Sequence, residues 1–193
     1  MNGAAPAPVT ALKNAADPVI AVIGNPNTGK STLFNALTGL RQKTANYLGV
    51  TVERHTGHIK LDGHNVTLVD LPGAYSIAAQ SPDEMVAIDV LLGHVEDLPR
   101  PRAILAVVDA TNLRRNLFLV TQLAELGLPM VIGLNMTDLA AEKGIEVDIA
   151  ALGAGLGAQV VALSAARGTG LDELRRALAA AINATSPPPL RVL

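Results

Sequence analysis

The sequence predicts a three-layer α/β fold with a mostly parallel, six-stranded sheet and one antiparallel hairpin edge. Three observations lead there. Short, almost continuously apolar runs alternate with segments of helical period, as parallel strands covered on both faces require. A glycine-rich loop joins the first apolar run to the first helical one. Asp62-Gly63, between Leu61 and His64, is a two-residue hairpin signal.

The elements follow in order. Val19-Ile20-Ala21-Val22-Ile23 marks a strand over 18–24, and Thr32 to Leu37 starts a helix with Leu33 and Leu37 on one face. Strands at 53–61 and 64–70 flank the hairpin turn and place Ile59 opposite Val66. A strand at 102–109 leads to a helix capped by Asn112, with Leu113, Leu117, Val120 and Leu123 as its stripe and Gly127 and Pro129 as its stop. A strand at 129–134 follows. Residues 149–166 carry no charge over a span-like length, but Gly153, Gly155, Gly157, Gln159 and Ser164 break the run. It reads as a short helix, a glycine break and a strand at 159–163. Thr169 with Asp172 resembles a capping box, and Leu171, Leu174, Leu178 and Ile182 make the stripe of the last helix.

Composition narrows the function classes. At 193 residues, 49% hydrophobic and 17% charged, the chain has material for one cored domain and is not a disordered polyelectrolyte. A net charge of −2 gives no electrostatic footprint for nucleic acid. The absence of cysteine removes disulfides and thiolate metal sites. His55 and His58, at odd spacing on a strand, fall on opposite faces and make a poor metal pair. Residues 1–17 are alanine- and proline-rich, without a signal-peptide pattern, and read as a flexible tail. Residues 18–184 form the domain, and 185–193, with Pro187-Pro188-Pro189, read as a stiff linker toward a further region. No feature sets an oligomeric state.

The chemistry sits in four loops. Gly24-Asn25-Pro26-Asn27-Thr28-Gly29-Lys30-Ser31 is a complete G-x-x-x-x-G-K-S/T phosphate loop, and Thr32 continues it into the helix. Its amides and the helix N-terminus make a nest for phosphate oxygens; Lys30 reaches the terminal phosphates and Ser31 ligates Mg²⁺. Asp70-Leu71-Pro72-Gly73, at a strand end, supplies a carboxylate that holds Mg²⁺ through water and a glycine amide for a γ-phosphate. Asn135-Met136-Thr137-Asp138 fits the N-K/M-x-D element, in which the Asp138 carboxylate accepts from the N1–H and exocyclic amine of guanine. Adenine lacks that donor pair and would strand the carboxylate. The tetrapeptide alone also suits a plain helix cap. Ser164-Ala165-Ala166 matches the small loop that backs the base.

In combination these stretches, with Gly49-Val50-Thr51-Val52-Glu53, Asp70 to Ser76 and Val108-Asp109-Ala110-Thr111-Asn112-Leu113-Arg114-Arg115-Asn116-Leu117, resemble the GTPase domain of FeoB, the bacterial ferrous-iron transport family. The resemblance covers roughly residues 18–183. It implies a Ras-like P-loop GTPase fold and Mg²⁺-dependent hydrolysis of GTP to GDP, on the cytoplasmic face of the bacterial inner membrane. It also implies, as partner, a membrane-embedded iron-transport domain of the same protein; nothing in these 193 residues can itself move iron. The family's Mg²⁺-binding threonine maps to Thr51. Related GTPases hold K⁺ through a phosphate-loop asparagine, which maps to Asn27. The implied catalytic set is therefore Asn27, Lys30, Thr51 and Gly73.

Two departures stand out. Ala74 occupies the place where many small GTPases carry a water-orienting glutamine, so backbone, another residue or a cation must do that work. Leu48 replaces the usual proline of the first switch. Both tyrosines, Tyr47 and Tyr75, fall in the switches, as packing anchors or as ordinary part-exposed contacts. A soluble GTPase of ribosome assembly or tRNA modification, and a GTP/GDP sensor without turnover, are the alternative readings.

Overall fold

The computed structural model describes residues 17–39, 42–47, 50–78 and 81–184. All but Asp17 of the expected tail lies outside these residues, as do the linker at 185–193, Leu48 and Gly49. The elements are β1 (Val19–Gly24), α1 (Lys30–Thr38), β2 (Gln42–Asn46), β3 (Glu53–Leu61), β4 (His64–Asp70), α2 (Pro82–Leu92) and β5 (Ala103–Asp109). A 3₁₀ turn (Ala110–Asn112) then leads to α3 (Leu113–Glu125), β6 (Met130–Asn135), α4 (Thr137–Glu142), α5 (Ile149–Leu156), β7 (Gln159–Ala162) and α6 (Leu171–Asn183).

The strand order is β2-β3-β4-β1-β5-β6-β7. Pairing is parallel from β4 through β1, β5 and β6 to β7. The β3–β4 hairpin is antiparallel with Ile59 opposite Val66, and Asp62 and Gly63 turn it with φ of 47° and 81°. Those two left-handed residues match the twist of the strands they join.

Alternation along β1 shows why the strands read as unbroken apolar runs. Val19, Ala21 and Ile23 face a layer containing Val86 and Val90 of α2 and Leu119, Val120 and Leu123 of α3. Ile20 and Val22 face Leu33, Phe34 and Leu37 of α1 and Leu174, Leu178 and Ile182 of α6. Burial on both faces locks the register, since a one-residue slip would exchange the two cores. The locked register aligns the carboxyl ends of neighbouring strands: Val22 pairs with Asp70, Asp109 with Asn135, and Leu134 with Ala162. The loops after β1, β4, β6 and β7 therefore open on one rim.

Several expectations need correction. The sheet has seven strands rather than six. The extra strand, β2, is exposed at every position and pairs antiparallel with β3 through the backbone, so no apolar alternation announces it. The Asn112 side chain makes no cap bond; Asp109 instead accepts from the Thr111 amide at 2.7 Å and caps the 3₁₀ turn. The Thr169–Asp172 box does not form. Thr169 exchanges backbone hydrogen bonds with Ser164, and α6 starts after Gly170, whose φ is 79°. Helix α2 was not anticipated, although Ser81 accepts from the Glu84 amide and Pro82 takes the first helical position. The glycine-broken stretch after residue 148 is a helix and then a strand, as expected.

Leu105, fully buried on the interior strand β5, is expected to cost about 2–5 kcal/mol on truncation to Ala, measured by denaturant unfolding. Lys43→Ala on exposed β2 is expected to stay within about 0.5 kcal/mol.

Candidate nucleotide-binding site

The phosphate loop is shaped by close contacts that only glycine tolerates. A Cβ on Gly24 would sit 2.4 Å from the Val107 carbonyl oxygen. Gly29 has φ of 78°, and a Cβ there would lie 2.4 Å from Asn135 Nδ2. Thr28 closes the turn by donating its hydroxyl to the Asn25 carbonyl at 2.9 Å, and Asn27 takes a left-handed φ of 68°. A cavity of about 360 Å³ is lined by Asn25, Pro26, Asn27, Gly29, Lys30, Ser31, Thr32 and Gly73. All predicted loop residues except Gly24 and Thr28 thus face one space.

Lys30 opens α1 and its ammonium pairs with Asp70 at the end of β4. Gly73 lies against the loop, since a Cβ on it would be 3.3 Å from the Pro26 ring. Lys30, Thr51 and Asp70 line a second cavity of about 300 Å³, so the switch threonine lies beside the lysine and the carboxylate. Lys30 lines both cavities, which places Ser31 on the other side of it. Thr51 and Asp70 share one cavity and Ser31 lines the neighbouring one; in kind, their hydroxyl and carboxylate oxygens suit a hard divalent cation such as Mg²⁺. Ala74 is 2% exposed and its amide donates to the Gly24 carbonyl at 3.2 Å. Its methyl is packed away from the cavity, so position 74 offers no water-orienting group.

Across the rim, Asn135 is buried and fully engaged. Its Nδ2 donates to the Thr28 carbonyl and its Oδ1 accepts from the Ala165 amide, both at 2.9 Å. The predicted base-site asparagine therefore acts by tying the phosphate loop to the 164–166 loop. Met136 adopts φ of 63° and reaches over Gly29, while Thr137 donates to the Leu163 carbonyl at 2.9 Å. Gly170 brings the loop back, because a Cβ there would meet the Ala162 carbonyl at 2.4 Å. Ser164 and Ala165 are buried and Ala166 is exposed at the mouth.

Asp138 brings a carboxylate to this side of the rim. Desolvation works against its anion, but a hydrogen bond from Ser164, backbone amides at Leu139 and Asp138, and the Arg167 guanidinium outweigh it. Its carboxyl is held below the ordinary value and stays ionised at neutral pH. The Arg167 contact, Nε to Oδ2 at 2.8 Å, escaped the sequence reading, as did the 3.0 Å pair from Arg167 Nη2 to Glu142.

The tyrosines divide. Tyr47 is buried, with Arg54 5.6 Å from its ring centroid and Arg54 paired to Asp97 at 2.7 Å. Burial pushes its phenol well above the ordinary value. Tyr75 is 42% exposed, with Arg115 4.5 Å over its ring. Tyr47 is an anchor, and Tyr75 is a surface contact.

Comparison with known proteins agrees with this geometry. The sequence model of the family described as Ferrous iron transport protein B matches residues 18–178. The chain belongs to the FeoB family. It is 48% identical over 163 residues to the Fe(2+) transporter FeoB of Escherichia coli (strain K12), which covers 82% of this chain but 20% of that protein. It thus spans about a fifth of the length of the curated relatives it matches. The FeoB G-domain from Methanococcus jannaschii aligns with a TM-score of 0.75 at 42% identity, over 87% of this chain and 99% of that one. The cytosolic domain of T. maritima FeoB in its GMPPNP form aligns with a TM-score of 0.83 at 34% identity, over 91% and 67%. The fold is that of FeoB G-domains. No helix among the described residues is long and apolar enough to cross a membrane.

Asn135→Ala would leave the Thr28 carbonyl and the Ala165 amide buried without partners. It is expected to cost about 1–3 kcal/mol of folding stability by denaturant titration and to weaken nucleotide binding measured by calorimetry.

Proposed function

We propose that this domain binds GTP and hydrolyses it to GDP and phosphate, and that in the full-length protein it regulates ferrous iron passage through a membrane-embedded region from the cytoplasmic face. The observation that carries the reading is the convergence of phosphate loop, Asp70–Gly73 segment and Asp138 loop on one rim, cross-tied by Asn135. The relative from T. maritima solved in its GMPPNP form supports it. FeoB membership favours iron transport over ribosome assembly or tRNA modification.

In this reading Lys30 exchanges Asp70 for the phosphates, and the loop amides receive charge developing on the transferred phosphoryl. Gly73 gives its amide to the γ-phosphate oxygens. Water attacks the γ-phosphorus in line, the bond to the β–γ bridging oxygen breaks, and GDP leaves. Mg²⁺, held by Ser31, Thr51 and, through water, Asp70, would neutralise the β- and γ-phosphate oxygens when bound. Asp138 reads the two guanine donors while Ser164, Ala165 and Ala166 back the ring.

The buried Ala74 leaves water orientation to backbone or cation. Asn27 lines the phosphate cavity with an oxygen that K⁺ accepts, and a monovalent cation there would supply positive charge beside the phosphates. Turnover is then slow and faster in K⁺ than in Na⁺. Phosphate release is to be measured with GTP and Mg²⁺ in matched KCl and NaCl. Wild type is expected to be faster in KCl, and Asn27→Ala to fall to the NaCl rate with GTP binding retained. Equal rates in both salts would end the K⁺ assignment. Binding without turnover would make the domain a GTP/GDP sensor.

A further inference from the structure

The Asp138 carboxylate is already engaged by a guanidinium. The edge of guanine that a carboxylate reads, N1–C2–N2, is itself a guanidine fragment: two parallel N–H donors on a planar carbon. The Arg167 guanidinium carries the same pair of donors, here divided between two carboxylates. It lies on Asp138 Oδ2 at 2.8 Å through Nε, while its Nη2 holds Glu142 at 3.0 Å. Planar forks of this kind suit carboxylates because both donors meet both lone-pair directions. Asp138 is mostly buried, at 17% side-chain exposure, and its other interactions run to Ser164 and to backbone amides. The Arg167 contact is therefore the one that a guanine edge can replace without dismantling the loops.

Position and exposure fit that role. Arg167 is 59% exposed and follows the loop that backs the base. It is anchored through its backbone, whose amide contacts Ser164 Oγ at 3.4 Å. Asp138 and Glu142 are four residues apart on α4, so they lie one turn apart on one face and repel each other unless a cation lies between them. Arg167 supplies that cation. When guanine takes Asp138, Arg167 keeps Glu142.

We propose that Arg167 is an internal competitor for the guanine edge: it occupies Asp138 until guanine displaces it onto Glu142, and this exchange lowers the affinity of the domain for GTP and GDP alike. The inference rests on the guanine-nucleotide reading above. The competition acts at the base and not at the phosphates, so it speeds nucleotide exchange without distinguishing the two nucleotides.

The test is calorimetric Kd determination for GDP and GTP with Mg²⁺, on the full 193-residue chain. The proteins are wild type, Arg167→Ala, Arg167→Gln, Glu142→Ala and the Arg167→Ala/Glu142→Ala pair, each checked by thermal unfolding. Arg167→Ala and Arg167→Gln are expected to tighten GDP and GTP by the same factor, roughly two- to five-fold, the range an exposed charge pair spans. That gain is expected to shrink as KCl is raised, because exposed pairs are screened. Glu142→Ala is expected to weaken binding, and to do nothing once Arg167 is Ala, the signature of a residue acting through the arginine. Unchanged or weaker binding in both Arg167 variants would overturn the proposal and make Arg167 a bystander or a lid on the base. An equal Glu142→Ala effect in both backgrounds would remove the exchange. A wild-type chain that binds neither GDP nor GTP would overturn this inference and the guanine reading together, whereas tight wild-type binding with unaltered variants would sink this one alone.

Discussion

The bidentate use of Asn135 is the constraint on which the site depends. A single buried amide satisfies a carbonyl in the phosphate loop and an amide in the 164–166 loop, two segments more than a hundred residues apart. Without it, three loops that leave different strands would share a rim but not a geometry. With it, the phosphate loop and the 164–166 loop become one piece. The same side chain explains Gly29: the loop passes so close to Asn135 that no Cβ fits, so the glycine of the motif is required by packing as well as by its positive φ.

The sheet makes that bridge possible. Parallel pairing of β4, β1, β5, β6 and β7, with apolar layers on both faces, sets the carboxyl ends of these strands along one side of the sheet. Ligand-binding loops at the carboxyl ends of an open parallel sheet follow from this arrangement. Polar chemistry is then added where burial has already been secured. Asn135 ends β6 and Ser164 follows β7; both are buried, Asn135 matched by loop backbone and Ser164 by the Asp138 carboxylate and the Arg167 amide.

Much of this was legible in the sequence, for identifiable reasons. The β3–β4 hairpin and its register followed from Asp62-Gly63 and the alternation of Ile59, Leu61 and Val66, and the phosphate loop from residue types that phosphate chemistry requires. Strand β2 left no trace because Gln42 to Asn46 are exposed throughout and show no apolar alternation, while its backbone pairing with β3 is open to any sequence. Helix α2 did leave a trace, Ser81-Pro82-Asp83-Glu84, which the reading passed over. The Thr169–Asp172 pattern misled because Thr169 spends its backbone on Ser164, a tertiary demand that outranks a local cap. Arg167 was beyond reach: its role comes from standing near Asp138, twenty-nine residues earlier, and periodicity does not report such meetings.

The central claim is that a carboxylate at the rim selects guanine. The most direct measurement is the affinity of wild type and Asp138→Asn for GDP and for XDP, whose base replaces the exocyclic amine with a carbonyl. The account predicts that wild type prefers GDP and that the variant prefers XDP, since an amide donates where the carboxylate accepted. A wild-type chain indifferent to the two bases, or a variant that keeps its preference for GDP, would contradict it.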